Sequence, residues 1–174
     1  MNKVRHIVML ALLLGLGLSA MSQIRIPGTT VSFQFPNGGW KYLKTMNPAK
    51  NTVVYLYSYS ARTIVDKTGE EVTPFMRIYV KQNYSDSPFE LAYERSVQQP
   101  FQSLEEYMEG LPGKDGIGYI GAYTGVDDGK DYQFRMIYFR DGSNVVEIRM
   151  ETTLDTYEEM DKEFDEVMKT VRTK

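Results

Sequence analysis

The chain has no cysteine and a single histidine, His6, placed close to its start. The missing thiols exclude disulfide staples, so an exported form must be held together by packing alone. It also has only one tryptophan, Trp40, no uninterrupted apolar run of the roughly 20 residues a membrane span needs, and no block of basic residues. A mildly acidic chain, with a formal net charge of −3, lacks the Lys/Arg surplus that drives phosphate neutralisation on nucleic acid or docking on anionic lipid. Internal repeats and low-complexity tracts are absent too.

What is present begins with a leader. Lys3, Arg5 and His6 form a basic head, Ile7 to Leu18 is apolar, and Ser19 to Gln23 is small and polar. Ala20 and Ser22 supply a small-x-small pattern, so residues 1–22 read as a secretory signal peptide cut between Ser22 and Gln23, with cleavage after Ala20 as the alternative. No cysteine follows the apolar run, which excludes a lipid-anchored lipoprotein, and no twin arginine precedes it. The expected location is the periplasm or the outside of the cell, with membrane contact only through the cleaved signal. Cleavage removes His6, so the exported domain, residues 23–174, has neither imidazole nor thiol. It carries 18 basic against 23 acidic residues, net −5. A Ser-His-Asp or Cys-His site is then impossible.

Periodicity predicts one domain. Val31 to Phe35 alternates as a strand and stops at Pro36-Asn37-Gly38-Gly39, with Trp40 to Leu43 continuing extended. Thr52 to Ile64 places Val53, Tyr55, Tyr57 and Tyr59 on one face, and with Phe75 to Lys81 it reads as a hairpin. Ser87-Pro88-Phe89-Glu90 and Ser103-Leu104-Glu105-Glu106 are both capping boxes, and predict a helical pair in mid-chain. Strands follow at Ile117–Val126, Asp131–Arg140 and Asn144–Thr152. Register parity sets Ile137, Phe139, Val146, Ile148 and Met150 on one face, and Phe134, Met136, Tyr138, Val145, Glu147 and Arg149 on the other. Leu154, Tyr157, Met160, Phe164, Val167, Met168 and Val171 form a helical stripe, with Asp155 and Glu158 as its expected cap. The expected class is α+β, a central, mostly antiparallel sheet with helices on both faces.

Three stretches resemble PsbP-like domains: the opening VSFQFPNGGWKYL (Val31–Leu43), SLEEYMEGL (Ser103–Leu111), and the closing hairpin with VVEIRMETT (Val145–Thr153) and its amphipathic helix. The resemblance implies the PsbP/Mog-like αβα sandwich. It also implies a non-enzymatic binding or accessory role, as in photosystem subunits, a nuclear-transport GTPase binder and exported bacterial proteins. It supplies no catalytic residues to carry over, no cofactor and no particular partner.

Candidate chemistry is sparse. Gly116-Ile117-Gly118-Tyr119-Ile120-Gly121 matches GxGxxG, but strand-like residues follow it where a pyrophosphate site needs a helix. The glycines read instead as room for a bent strand, with Tyr119 and Tyr123 on one face. Asp127, Asp128 and Asp131 are the metal candidate, against a solvated turn as the plainer reading. Glu147 and Glu151 lie too far apart along a strand for a retaining glycosidase pair, and Glu147 beside Arg149 reads as a partly buried ion pair with a cross-strand partner. Trp40 is either a platform or a core plug. The expectation is an exported, non-enzymatic module that recognises an envelope or extracellular protein, with Trp40, Tyr119 and Tyr123 as the candidate surface. A carboxylate-dependent glycan hydrolase and a small-ligand binder with a tyrosine-walled pocket are the alternatives.

Overall fold

The computed structural model describes residues 23–98, 101–108 and 110–173. The proposed signal peptide, with Ser22 and His6, lies outside them. Gln23 is the first residue described, and its side-chain amide donates to the Ser32 hydroxyl at 2.6 Å.

Among the described residues eleven strands form three sheets. β1 (Ile24–Arg25) and β2 (Ser32–Phe33) make a short ribbon, so the expected opening strand is reduced to two residues. β3 (Trp40–Ala49), β4 (Thr52–Tyr59), β7 (Phe75–Lys81), β8 (Ser103–Tyr107), β9 (Ile117–Thr124), β10 (Asp131–Asp141) and β11 (Asn144–Thr153) make one antiparallel sheet in the order β3-β4-β7-β11-β10-β9-β8. Between β4 and β7 the chain makes a small ribbon of β5 (Ile64–Val65) and β6 (Glu71–Val72). The described residues also form two helices, α1 (Pro88–Gln98, 11 residues) and α2 (Tyr157–Met168, 12 residues). Among the described residues no helix is long and apolar enough to cross a membrane.

The hairpin parity is as expected: Ile137 pairs with Ile148 and Tyr138 with Glu147, over a turn at Gly142, whose φ of 60° suits glycine. On the first face, Met76, Ile78, Ile137, Phe139, Val146, Ile148 and Met150 meet Met160, Phe164 and Val167 of α2, together with Val31 and Phe33. The stripe predicted for α2 is buried from Tyr157 onward, whereas Leu154, in a 3-10 turn before it, is exposed. Asp155 does not cap this helix; its carboxylate accepts the Lys67 amide at 2.7 Å. On the second face, Leu91 and Ala92 of α1 rest on Ile117, Tyr119, Phe134, Met136, Tyr138 and Val145.

The α+β expectation, and with it the αβα sandwich implied by the PsbP resemblance, is overturned. The described residues are mostly β, one seven-stranded sheet and two small ones with two short helices, and among them no layer of helices covers each face. The reason lies at Ser103–Tyr107. Its capping-box sequence forms β8, hydrogen-bonded to β9 with Ser103 opposite Ala122 and Tyr107 opposite Gly118. A Cβ on Gly118 would fall 2.5 Å from the Tyr107 ring, and one on Gly121 would fall 2.6 Å from the Ser103 carbonyl oxygen. The glycines let β8 approach β9, and long-range pairing overrides the local helical signal. The capping box at α1 does form: Ser87 N donates to Glu90 Oε2 at 2.6 Å and Glu90 N to Ser87 Oγ at 3.2 Å.

Candidate functional site

β7 and β11 lie side by side at the middle of the sheet. One parity of both strands is apolar and faces the first core. The other parity is Phe75, Arg77, Tyr79 and Lys81 on β7, and Val145, Glu147, Arg149, Glu151 and Thr153 on β11. The register sets Arg77 directly opposite Arg149. Like charges in that position repel. Glu151 reconciles them: its Oε1 accepts from Arg77 Nη1 at 2.5 Å and its Oε2 meets Arg149 Nη2 at 2.6 Å. One turn of the pleat away, Glu147 is paired with Arg95 of α1 at 3.2 Å.

Aromatic rings close around these charges. The Arg149 guanidinium lies 4.5 Å from the Phe134 ring centroid, 5.6 Å from that of Tyr123 and 5.8 Å from that of Phe101. Arg95 sits 4.9 Å over Tyr79. Such cation–π contacts are worth more when desolvated. Burial would raise the Glu151 pKa, but Arg149 and Arg77 outweigh it and hold the carboxyl below its ordinary value. At Glu147 burial wins, pushing the carboxyl up against the pull of Arg95 and Arg149. Burial, with Glu151 adding to it, takes the Tyr123 hydroxyl up to about 12.

Above Arg77, Arg149 and Glu151 opens a cavity of about 600 Å³, within the range of small-molecule sites. Tyr79, Phe101 and Tyr123 wall it, Gln98 at the end of α1 borders it, and Val126, 99% exposed, stands at its mouth. A carboxylate spanned by two guanidiniums is an ion-pair anchor, not a proton donor at neutral pH. The arrangement suits binding: fixed charge at the floor, rings at the sides.

Of the three residues expected to form an interaction surface, only Tyr123 lines this cavity. Tyr119 shares its face but is 9% exposed, its ring 6.4 Å from that of Tyr138. Trp40 is 7% exposed and belongs to the first core, 5.5 Å from Tyr59 and 5.8 Å from Phe164. It plugs the core on the opposite side of the sheet. Glu147 and Glu151 do not face each other across this cavity, and only Glu151 borders it.

Asp128 and Asp131 serve a turn. Asp128 Oδ1 accepts Lys130 N at 3.0 Å and Oδ2 accepts the Tyr132 hydroxyl at 2.5 Å, while Asp131 Oδ1 accepts from Thr124 Oγ1 at 2.7 Å. Lys130 reaches away to Asp66 at 2.8 Å and Glu70 at 2.5 Å. Among the described residues no three His, Cys, Asp or Glu side chains, Asp127 included, gather as a metal site. Of the GxGxxG stretch, Ile117 to Gly121 lie within β9, which leads into a turn and not a helix.

Sequence reasoning missed Arg77, Tyr79 and Phe101. The signal was available in β7 and β11, where two neighbouring apolar strands each carry charge on the same parity. The exposed Phe89, Tyr93 and Val97 were also missed; their spacing of four residues makes a second apolar stripe on α1, away from Leu91 and Ala92.

No family model matches the chain, and no curated protein matches it in sequence. Among solved structures, LpqN, involved in cell envelope biogenesis of Mycobacterium tuberculosis, superposes with a TM-score of 0.52 at 11% identity, over 88% of this chain and 90% of that one. A Pseudomonas aeruginosa protein of unknown function, PA94, gives a TM-score of 0.45 at 11% identity, over 86% and 94%. The likeness to LpqN is one of fold.

Proposed function

We propose that this chain is an exported, non-catalytic binding module of the cell envelope whose cavity on the second sheet face takes a small amphipathic ligand. The observation that carries the reading is the cavity of about 600 Å³, walled by Tyr79, Phe101 and Tyr123 over the Arg77–Glu151–Arg149 cluster. Buried charge costs free energy, and placing it beneath an open cleft in place of apolar packing is explained by a ligand that uses it. The leader-like residues 1–22 and the envelope role of LpqN support the location. Kinship with PsbP-like proteins stands on the three short stretches alone, and the reading does not depend on it.

The test is binding of the fluorescent amphiphile 8-anilinonaphthalene-1-sulfonate to the exported protein. Saturable one-site binding is expected, weakened at least tenfold by Tyr123→Ala and unchanged by Tyr93→Ser. Binding that survives Tyr123→Ala and disappears with Tyr93→Ser overturns the reading. The exposed Phe89, Tyr93 and Val97 favour a second reading, an envelope or extracellular protein partner meeting α1. A photo-crosslinker at Tyr93 that captures one reproducible species in intact cells would support it; capture of none would remove it.

A further inference from the structure

We infer that the cavity is matched to an organic ligand bearing one negative charge, a carboxylate on a flat apolar body; the inference rests on the ligand-binding reading above. The charge balance of the lining carries it. Two guanidiniums, Arg77 and Arg149, and one carboxylate, Glu151, border the cavity, and its other lining residues are uncharged. The site therefore carries one unit of positive charge. The neighbouring Arg95–Glu147 pair beneath α1 is neutral as a unit and adds none; Asp131, whose Oδ1 accepts from the hydroxyl of the lining Thr124 at 2.7 Å, lies outside the lining.

A buried charge must be balanced by a partner of opposite sign. A neutral ligand covers the arginines and leaves the excess charge desolvated. A cation adds to it. A dianion, such as a phosphate monoester, reverses it and leaves a negative charge facing the π clouds of Tyr79, Phe101 and Tyr123. One carboxylate closes the balance. Guanidinium also suits it geometrically, because a planar fork of five N–H donors matches a planar acceptor, and Glu151 accepts one hydrogen bond from Arg77. The flat body follows from the walls: Tyr123, stacked at 5.3 Å on Tyr132 with ring planes 16° apart, and Phe101, 4.6 Å from Phe134, present ring surfaces held by other rings.

The experiment uses four probes with one body: 2-naphthoate, 2-naphthalenemethanol, 2-naphthylmethylammonium and 2-naphthyl phosphate, titrated calorimetrically into the exported protein at pH 8. Naphthoate should bind at least tenfold more tightly than the alcohol or the phosphate, and the ammonium should bind weakest. Glu151→Gln adds one positive charge and should make the phosphate the preferred probe. Gln98→Lys, at the exposed end of α1, makes the same change of charge without touching the buried cluster, and should shift preference the same way if Glu151→Gln fails to fold. Gln98→Glu should bring naphthoate and the alcohol level. If the probes bind with no preference for naphthoate, or the preference ignores both Gln98 variants, the charge inference is overturned while the cavity stands as a binding site. If none of the four binds, the ligand-binding reading falls and the inference with it.

Discussion

The two faces of the central sheet are built from the same strands, yet only one is apolar across β7 and β11 as well as β10. On the first face, residues at every second position of β7, β10 and β11 are mostly aliphatic or aromatic and are sealed by α2 and the β1–β2 ribbon. On the second, β7 and β11 present arginines and glutamates; the apolar residues of α1 rest mainly on β9 and β10, while its Arg95 reaches Glu147 of β11 and lies over Tyr79 of β7. Stability is gained where apolar alternation is uninterrupted. Where it is interrupted, on two neighbouring strands and under a cavity, the sequence has given up packing for fixed charge. The first face thus carries the main folding core, and the second holds the cavity on which the proposed binding function rests.

The largest expected effect separates the two. Phe164 is fully buried between Trp40 and Tyr157, at ring distances of 5.8 and 6.1 Å. Phe164→Ala should cost about 3–5 kcal/mol in urea unfolding while the protein that remains folded binds naphthoate normally. A loss below about 1 kcal/mol would show that the first face repacks and is not the anchor of the fold.

A smaller effect is expected where the second face meets the sheet edge. A Cβ on Gly121 would lie 2.5 Å from the Phe134 ring and 2.6 Å from the Ser103 carbonyl oxygen. The backbone contact cannot relax by a rotamer change, so Gly121→Ala should cost about 1–3 kcal/mol. Faster amide hydrogen exchange confined to β8 would accompany it. Unchanged exchange in β8 would mean that β8 does not depend on the close approach.

These contrasts mark how far the sequence could be read. The first face was legible, because hairpin parity and the α2 stripe are local periodicities. The strand at Ser103–Tyr107 was not, because its helical capping signal is local while the glycines that override it are more than ten residues away on β9. The site was half legible. Tyr123 could be read from β9 and charge at Glu147 and Arg149 from β11, but Glu147 pairs with Arg95 of α1 and not with a cross-strand residue, and the cluster needs the β7–β11 register, which sets Arg77 beside Arg149 and exists only once the sheet is assembled. Trp40 carried two readings, platform and core plug, and the core plug holds; a lone aromatic beside a turn carries no sign of which face it joins.

The finest division lies within β11 itself, between two glutamates four residues apart. Glu151 is held below its ordinary value of 4.5, because two arginines outweigh its burial. Its contribution to stability is therefore present above that value and is lost as pH falls through the lowered one. Glu147 is raised above 4.5 by burial. It binds its proton more tightly when folded, so its contribution is present below the ordinary value and is lost as pH rises through the raised one. The two slopes have opposite signs, each bounded at about 1.4 kcal/mol per pH unit. Urea midpoints measured across this range for Glu151→Gln should show a shallower loss of stability on the acid side of 4.5. Those for Glu147→Gln should show a shallower loss on the neutral side. If both variants flatten the same limb, the two carboxylates share one environment, and the neutral Arg95–Glu147 pair is not separate from the cluster that borders the cavity.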